Sequence, residues 1–202
     1  FGYQSKDFRL DASSETLLIE GDPDLKYLNE INEKFGAKEF LVLTLTPKEK
    51  ITSENTINNI LSLKYKIQSL NWVHNVITIL DIPLLESSDE PLMDRIKNFR
   101  TLKDENIDRE RGFQEILKSP VFKNFVISED AKTTAIIVNI KEKEKPQLNK
   151  TDNDEEIEKY KDFLKKERRQ NIIEIREIIK SFEDVGKIHL GGIPMIADDM
   201  MT

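Results

Sequence analysis

Twice along this chain a run of β-forming residues gives way to an amphipathic helical pattern and then to a second β run. That doubled plan restricts the available folds more than any other feature. The first unit opens with "EFLVLTLTP" (39–47), rich in large and β-branched apolar residues and closed by Pro47, which reads as a strand buried on at least one face. "SENTINNILSLKYKIQSL" follows, with Ile57, Ile60, Leu61, Ile67 and Leu70 at helical spacing and Thr52 or Ser53 available as the N-cap. "WVHNVITILDIP" returns to strand character. Strand, helix and strand in such short succession form a crossover unit, expected to be right-handed.

In the second unit, "FVISEDAKTTAIIVNIK" reads as two strand runs around Glu129-Asp130-Ala131-Lys132, either a hairpin or a bent strand. A long helix is predicted from about Asp154 to Asp184, where Ile157, Tyr160, Leu164, Ile172, Ile175, Ile179 and Phe182 form one stripe. About thirty residues at ~1.5 Å each reach ~45 Å, so this helix either bends near Gln170-Asn171 or projects beyond the sheet. "KIHLGGIPMIA" supplies the last strand. Two such units in one layer predict an α+β fold, a ferredoxin-like split βαβ sheet. Its strands fall at 40–46, 73–80, 133–140 and 187–192, with helices at 53–70 and 154–184 covering one face. Ile60, Leu61, Ile67, Ile175 and Ile179 are the expected core of that face.

The remaining segments fit around this plan as one domain over 1–202. Residues 1–36 form a lead-in that ends in a short helix, "GDPDLKYLNEINEKFG". There Asp22 can cap, Pro23 suits the first helical position, Gly36 suits the stop, and Leu25, Leu28, Ile31 and Phe35 share a face. The first βαβ unit occupies 37–83. A helical insertion covers 84–122: Leu92, Ile96 and Phe99 hint at a helix, and "DRERGFQEILKSP" gives a better one ended by Pro120. The second unit spans 123–202 and contains a charged connector, "EKEKPQLNKTDNDEE", with almost nothing to bury, which predicts mobility.

Composition removes several function classes. The formal charge of −7, with basic residues interleaved among acids, argues against nucleic acid, because phosphate binding needs clustered Lys and Arg. The absence of cysteine excludes disulfides, thiolate metal sites and a cysteine nucleophile together. No stretch approaches the ~18 apolar residues of a membrane span, and no signal-peptide pattern is present. His74 and His189 sit in separate predicted strands without partners at metal-ligand spacing. Ser13, Ser14, Ser53 and Ser128 lack the context of a serine nucleophile. "GGIP" is not a phosphate loop, and its glycines suit a bend or a close backbone approach. "SEDAK" reads as a turn, and the Asn149-Lys150-Thr151 sequon is a short match in a polar loop. No active site assembles, so the expectation is a non-enzyme without metal or cofactor.

The order of particular segments points further. "FRLDASSETLLIEGDPDLKYLNEINEKFGAKEFLVLTLTP" resembles the start of the first extracytoplasmic loop of MMPL-type exporters of the resistance-nodulation-division superfamily. The matching features are Asp11-Ala12-Ser13, the Gly21-Asp22-Pro23-Asp24 helix start and the Phe35-Gly36 stop before a strand. "WVHNVITILDIP" is similar to the strand closing that unit, and "SPVFKNFVISEDAKTTAIIVNI" to the later strand pair around an acidic turn. "HLGGIPMIADDM" resembles the segment entering the second transmembrane helix, where Asp198 and Asp199 take a membrane-edge position. The 84–111 insert and the 142–154 connector match least. The resemblance implies a porter domain on the periplasmic side of an inner-membrane, proton-driven exporter of lipids or other hydrophobic molecules. Its partners would be a second porter loop, the transmembrane part and the cargo, with homo-oligomerisation left open. Spare apolar positions on the long helix, Phe163, Ile173 and Ile178, would line the substrate path or meet a partner. Both ends of the domain would approach one side. A stand-alone ferredoxin-like regulatory or ligand-binding module is the rival reading. An acylphosphatase-like enzyme fits less well, since no glycine-and-arginine phosphate loop follows the first strand.

Overall fold

The computed structural model describes residues 39–87, 93, 99–142 and 154–200. The expected 22–36 helix, the helical hint at Leu92 and Ile96, and the sequon lie outside them. Strands β1 (Phe40–Pro47), β2 (Val73–Ile77), β3 (Thr134–Ile140) and β4 (Gly186–Gly191) form one sheet. They are ordered β2-β3-β1-β4, with every neighbouring pair antiparallel. Helix α1 (Glu54–Gln68) joins β1 to β2, and α3 (Asp154–Lys180) joins β3 to β4. This is the split βαβ arrangement that the doubled plan predicts. Helix α2 (Arg109–Lys118) lies in the insertion between β2 and β3, and α4 (Ile193–Met200) follows β4.

Alternation along the strands decides which face is buried. Leu41, Leu43 and Leu45 of β1 pair with Val138, Ile136 and Thr134 of β3, and all six are buried. Fully burying each leucine is worth about 2 kcal/mol. Against this face pack Leu63 and Ile67 of α1 and Ile172 and Ile175 of α3, followed by Phe182. The helices therefore share one face, with Ile60, Ile67 and Ile175 inside it and Leu61 and Ile179 half-buried at its margin. Thr134, the polar member of the strand pair, donates its hydroxyl proton to the Val126 carbonyl at 2.9 Å. A second cluster extends the core at the end where β1 finishes. There Leu45, Ile51, Ile57 and Ile60 meet Ile79, Leu80, Leu84, Leu102, Phe113, Ile116, Val126 and Ile127 of the insertion.

Three boundaries differ from the sequence expectation. The run expected to be a strand over 73–80 stops at Ile77. Thr78 caps a single 3-10 turn, Ile79–Asp81, by accepting from Leu80 N–H, while Asp81 accepts from Thr78 N–H. This reciprocal cap is locally cheaper than three more extended residues. The first of the two runs in "FVISEDAKTTAIIVNIK" is not a strand. Ile127 makes only isolated bridges to Lys123 and Thr134, because Asn124 and Ala131 take left-handed backbone conformations (φ 64° and 59°) on either side. The last strand ends at Gly191, and "IPMIADDM" is helical. Gly192 makes the break with a φ of 121°, and a Cβ there would lie 3.0 Å from the Phe40 carbonyl oxygen. That contact places the exit from β4 beside the entry to β1. The long helix is unbroken over 154–180, and Arg168 meets Glu39, the residue before β1, at 3.0 Å. Its first half therefore extends beyond the start of β1.

Candidate functional surfaces

The described helices leave the sheet's second face uncovered, although Ile137 at its centre is buried. Strand register places Phe40, Val42, Thr44 and Thr46 of β1 on it, beside Ala135, Ile137 and Asn139 of β3. Asn75 and Ile77 of β2 and Lys187 and His189 of β4 form its margins. Its centre is apolar or hydroxylated and its edges are polar: Asn139 donates from Nδ2 to Asn75 Oδ1 at 2.6 Å, and Thr46 and Thr133 hydroxyls meet at 2.8 Å. Such a surface offers van der Waals contact in the middle and hydrogen bonds at the rim. It carries no convergent set of acid, base and nucleophile.

The three apolar positions singled out on α3 do not act as one stripe. Phe163 is 55 % exposed and belongs to the half of the helix beyond β1. Ile173 is 40 % exposed and lies about 15 Å further along the axis, ten residues at ~1.5 Å each. Ile178 is half-buried and packs against the sheet-helix core. The surface role thus has two available side chains, and Ile178 serves packing. The sequence pattern gave all three as spare because it could not tell the rim of a core from free surface.

Two carboxylates sit in well-built environments. Asp81 takes Lys64 Nζ at 2.5 Å, with Lys103 Nζ at 3.5 Å, and accepts from Thr78 N–H and Oγ1–H. Burial alone would raise this carboxyl, but the Lys64 and Thr78 hydrogen bonds and the Lys64 charge outweigh it and hold it below the usual range. Glu115 of α2 accepts from Leu85, Glu86 and Ser87 backbone N–H groups and from the Ser87 hydroxyl at 2.6–3.0 Å. Its burial is likewise outweighed, by the Ser87 hydroxyl first and the backbone donors next, and it too is held low. Both stay ionised and fully engaged. Asp81 links Lys103 of the insertion to Lys64 of α1, and Glu115 closes the insertion on itself by holding residues 85–87 to α2. Sequence reading passed over both, since the partners of Glu115 lie some thirty residues upstream.

The histidines fall on opposite edge strands, β2 and β4. At ~4.8 Å per strand spacing they stand about 14 Å apart, too far to share an ion. His74 occupies a register shift in β2, where Gln68 Nε2 donates to its carbonyl at 3.1 Å and Gln68 Oε1 accepts from Val76 N–H at 2.8 Å. Ser53 caps α1, and Ser128 donates to Asp130 Oδ1 at 2.6 Å inside the acidic turn. Ser13 and Ser14 lie outside the described residues. Asp198 is buried and Asp199 pairs with Arg176 at 2.7 Å. Among the described residues no group of three or more His, Asp or Glu could hold a metal ion, and no helix is long and apolar enough to cross a membrane. No family model matches the chain, and no curated protein matches it by sequence.

Proposed function

We propose that this chain is a porter domain of an MMPL-type exporter, standing on the periplasmic side of an inner membrane and forming part of the conduit for lipids or other hydrophobic molecules. One observation carries most weight beside the segment resemblance. The doubled βαβ body receives its chain at Glu39 and releases it at Gly192 on the same pole, where a Cβ on Gly192 would crowd the Phe40 carbonyl oxygen. A domain inserted between neighbouring membrane spans needs that geometry. The half-apolar open sheet face and the exposed Phe163 and Ile173 supply surface for cargo or for a second porter loop. Energy coupling and the proton path would belong to the transmembrane part, and the domain itself would catalyse nothing.

The decisive experiment uses the full gene product. Apolar spans directly before Phe1 and after Thr202 are expected; soluble flanking sequence would favour the rival ligand-binding module. In the intact transporter, Val42→Asn on the sheet face, and Phe163→Ser with Ile173→Ser on α3, should lower export at unchanged membrane abundance. Normal export by both variants would remove these surfaces from the path. Ile178→Ser serves as the packing control, expected to lower abundance instead.

A further inference from the structure

Although the chain as a whole carries −7, one pole joins free cations to exposed aliphatic side chains. Helix α4 divides its apolar residues: Pro194 is buried and Met195 packs against the sheet-helix core, beside the buried Asp198, whereas Ile193 and Ile196 are 56 % and 44 % exposed. Arg176 of α3 reaches Asp199 of α4 at 2.7 Å, and the exposed Ile173 and Ile196 lie about one turn earlier on the two helices. Phe40, 48 % exposed, stands at the same pole, its carbonyl oxygen towards Gly192 and its side chain on the other face of the sheet. Together with Ile173 of α3, 40 % exposed, Ile193 and Ile196 leave a cluster of aliphatic side chains facing outward, which a partner surface would cover.

Beside this patch runs the basic stretch Lys165, Lys166, Arg168 and Arg169 of α3. Arg168 is taken by Glu39, which ties the stretch to the residue preceding Phe40. Lys165, Lys166 and Arg169 have no ion-pair partner among the described residues. An anionic surface would attract this pole and repel the acidic remainder, so charge alone would set the orientation. Long basic side chains flanking exposed aliphatic ones also match the headgroup layer, where charged tips reach phosphates while apolar stems and neighbours enter the acyl boundary.

We propose that this pole docks on an anionic lipid bilayer, with Lys165, Lys166 and Arg169 on headgroup phosphates and Phe40, Ile193 and Ile196 in the interfacial layer. The inference deepens the exporter reading, in which the same pole faces the membrane, and vesicle binding tests it separately from the flanking spans. The test mixes the 202-residue chain with vesicles of phosphatidylcholine alone or of an equal mixture with phosphatidylglycerol, and measures bound protein by flotation. Binding is expected on the anionic vesicles only and weakens with salt. Each cation near such a surface changes partitioning about fivefold, so the K165A/K166A/R169A variant should fall about a hundredfold. Ile193→Ser with Ile196→Ser should weaken binding as well. Circular dichroism and Tm should stay at wild type in both, since none of the five side chains is buried. Equal binding to neutral vesicles, no binding to anionic ones, or an unaffected triple variant would overturn the proposal. Self-association in sedimentation, abolished by the same substitutions while vesicles stay unbound, would assign the surface to a protein partner and overturn it too.

Discussion

Replacing Glu115 by glutamine tests how the insertion is held. In the wild type, Oε1 accepts from Leu85 and Glu86 N–H groups at 2.6 and 3.0 Å, and Oε2 accepts from Ser87 N–H at 2.8 Å and Oγ at 2.7 Å. Glutamine keeps one acceptor oxygen and points an NH2 at donors, so one pair of bonds is lost whichever way the amide turns. Bonds to a charged acceptor are worth roughly 1.5–3 kcal/mol each in mutational series. Leu85 and Glu86 are exposed and regain water, so most of the loss comes from Ser87, which is buried. The expected cost is about 2 kcal/mol, read as a lower urea midpoint at unchanged slope. Amide exchange at 85–87 should accelerate about thirtyfold, while the amides of β1 and β3 follow only the global change. The pH dependence adds a sign. Glu115 is held below its ordinary value of 4.5 in the folded state. Its contribution is therefore present above 4.5 and disappears as pH falls through the lowered folded value. Wild type and variant should differ at neutral pH and converge in acid. Equal midpoints at neutral pH together with unaltered exchange at 85–87 would refute this role of Glu115.

Three further outcomes are expected. Ile175 is fully buried between α3 and the sheet, so Ile175→Asp should cost several kcal/mol and lower Tm steeply, whereas an unchanged Tm would void the face assignment. A Cβ on Gly186 would sit 2.7 Å from Pro47 Cα and closer still to the Thr46 carbonyl oxygen; Gly186→Ala should cost about 1–3 kcal/mol by calorimetry because only backbone can give way. Ala131, held at φ 59°, should tolerate glycine with a gain of about 1 kcal/mol in chemical denaturation, and a loss there would show that the turn is not strained.

Strand positions were legible in the sequence because each strand carries its own signal. The "FLVLTLT" alternation and the "AIIV" run need no distant partner to be read as extended chain, and the Ser53 cap announces α1 locally. What escaped was set by side chains acting on backbone across short gaps. Thr78 and Asp81 end β2 although "ITIL" is as β-prone as the residues before it. Helix α4 looked like strand or membrane entry because "IPMIA" is apolar throughout; Gly192 as a break and Pro194 in the first turn were the available helix signals. Surface candidates were the least legible. Phe163, Ile173 and Ile178 look alike as letters; Phe163 lies on the half of α3 beyond the sheet, and Ile173 and Ile178 differ in the helix face they take. The basic run 165–169 gained meaning only when Glu39 brought it to the pole of Phe40 and α4.

The position of β1 between β3 and β4 governs how the protein can be made. The first strand of the described fold to leave the ribosome has both hydrogen-bonding edges completed by strands from the far half of the chain, Thr134–Ile140 and Gly186–Gly191. At ~5–20 residues per second, β1 waits on the order of ten seconds for its second neighbour. During that interval Leu41, Leu43 and Leu45 can be covered by α1 on one side, but the strand's edge stays open to other chains. Non-local pairing of this kind also makes spontaneous refolding slow relative to a helical bundle of equal size. Neither half forms a sheet of its own worth keeping, so the domain has no stable fragment to fall back on. A chain ending before Gly186 would present β1 as an unprotected apolar edge, and its expected fate is aggregation rather than a smaller fold.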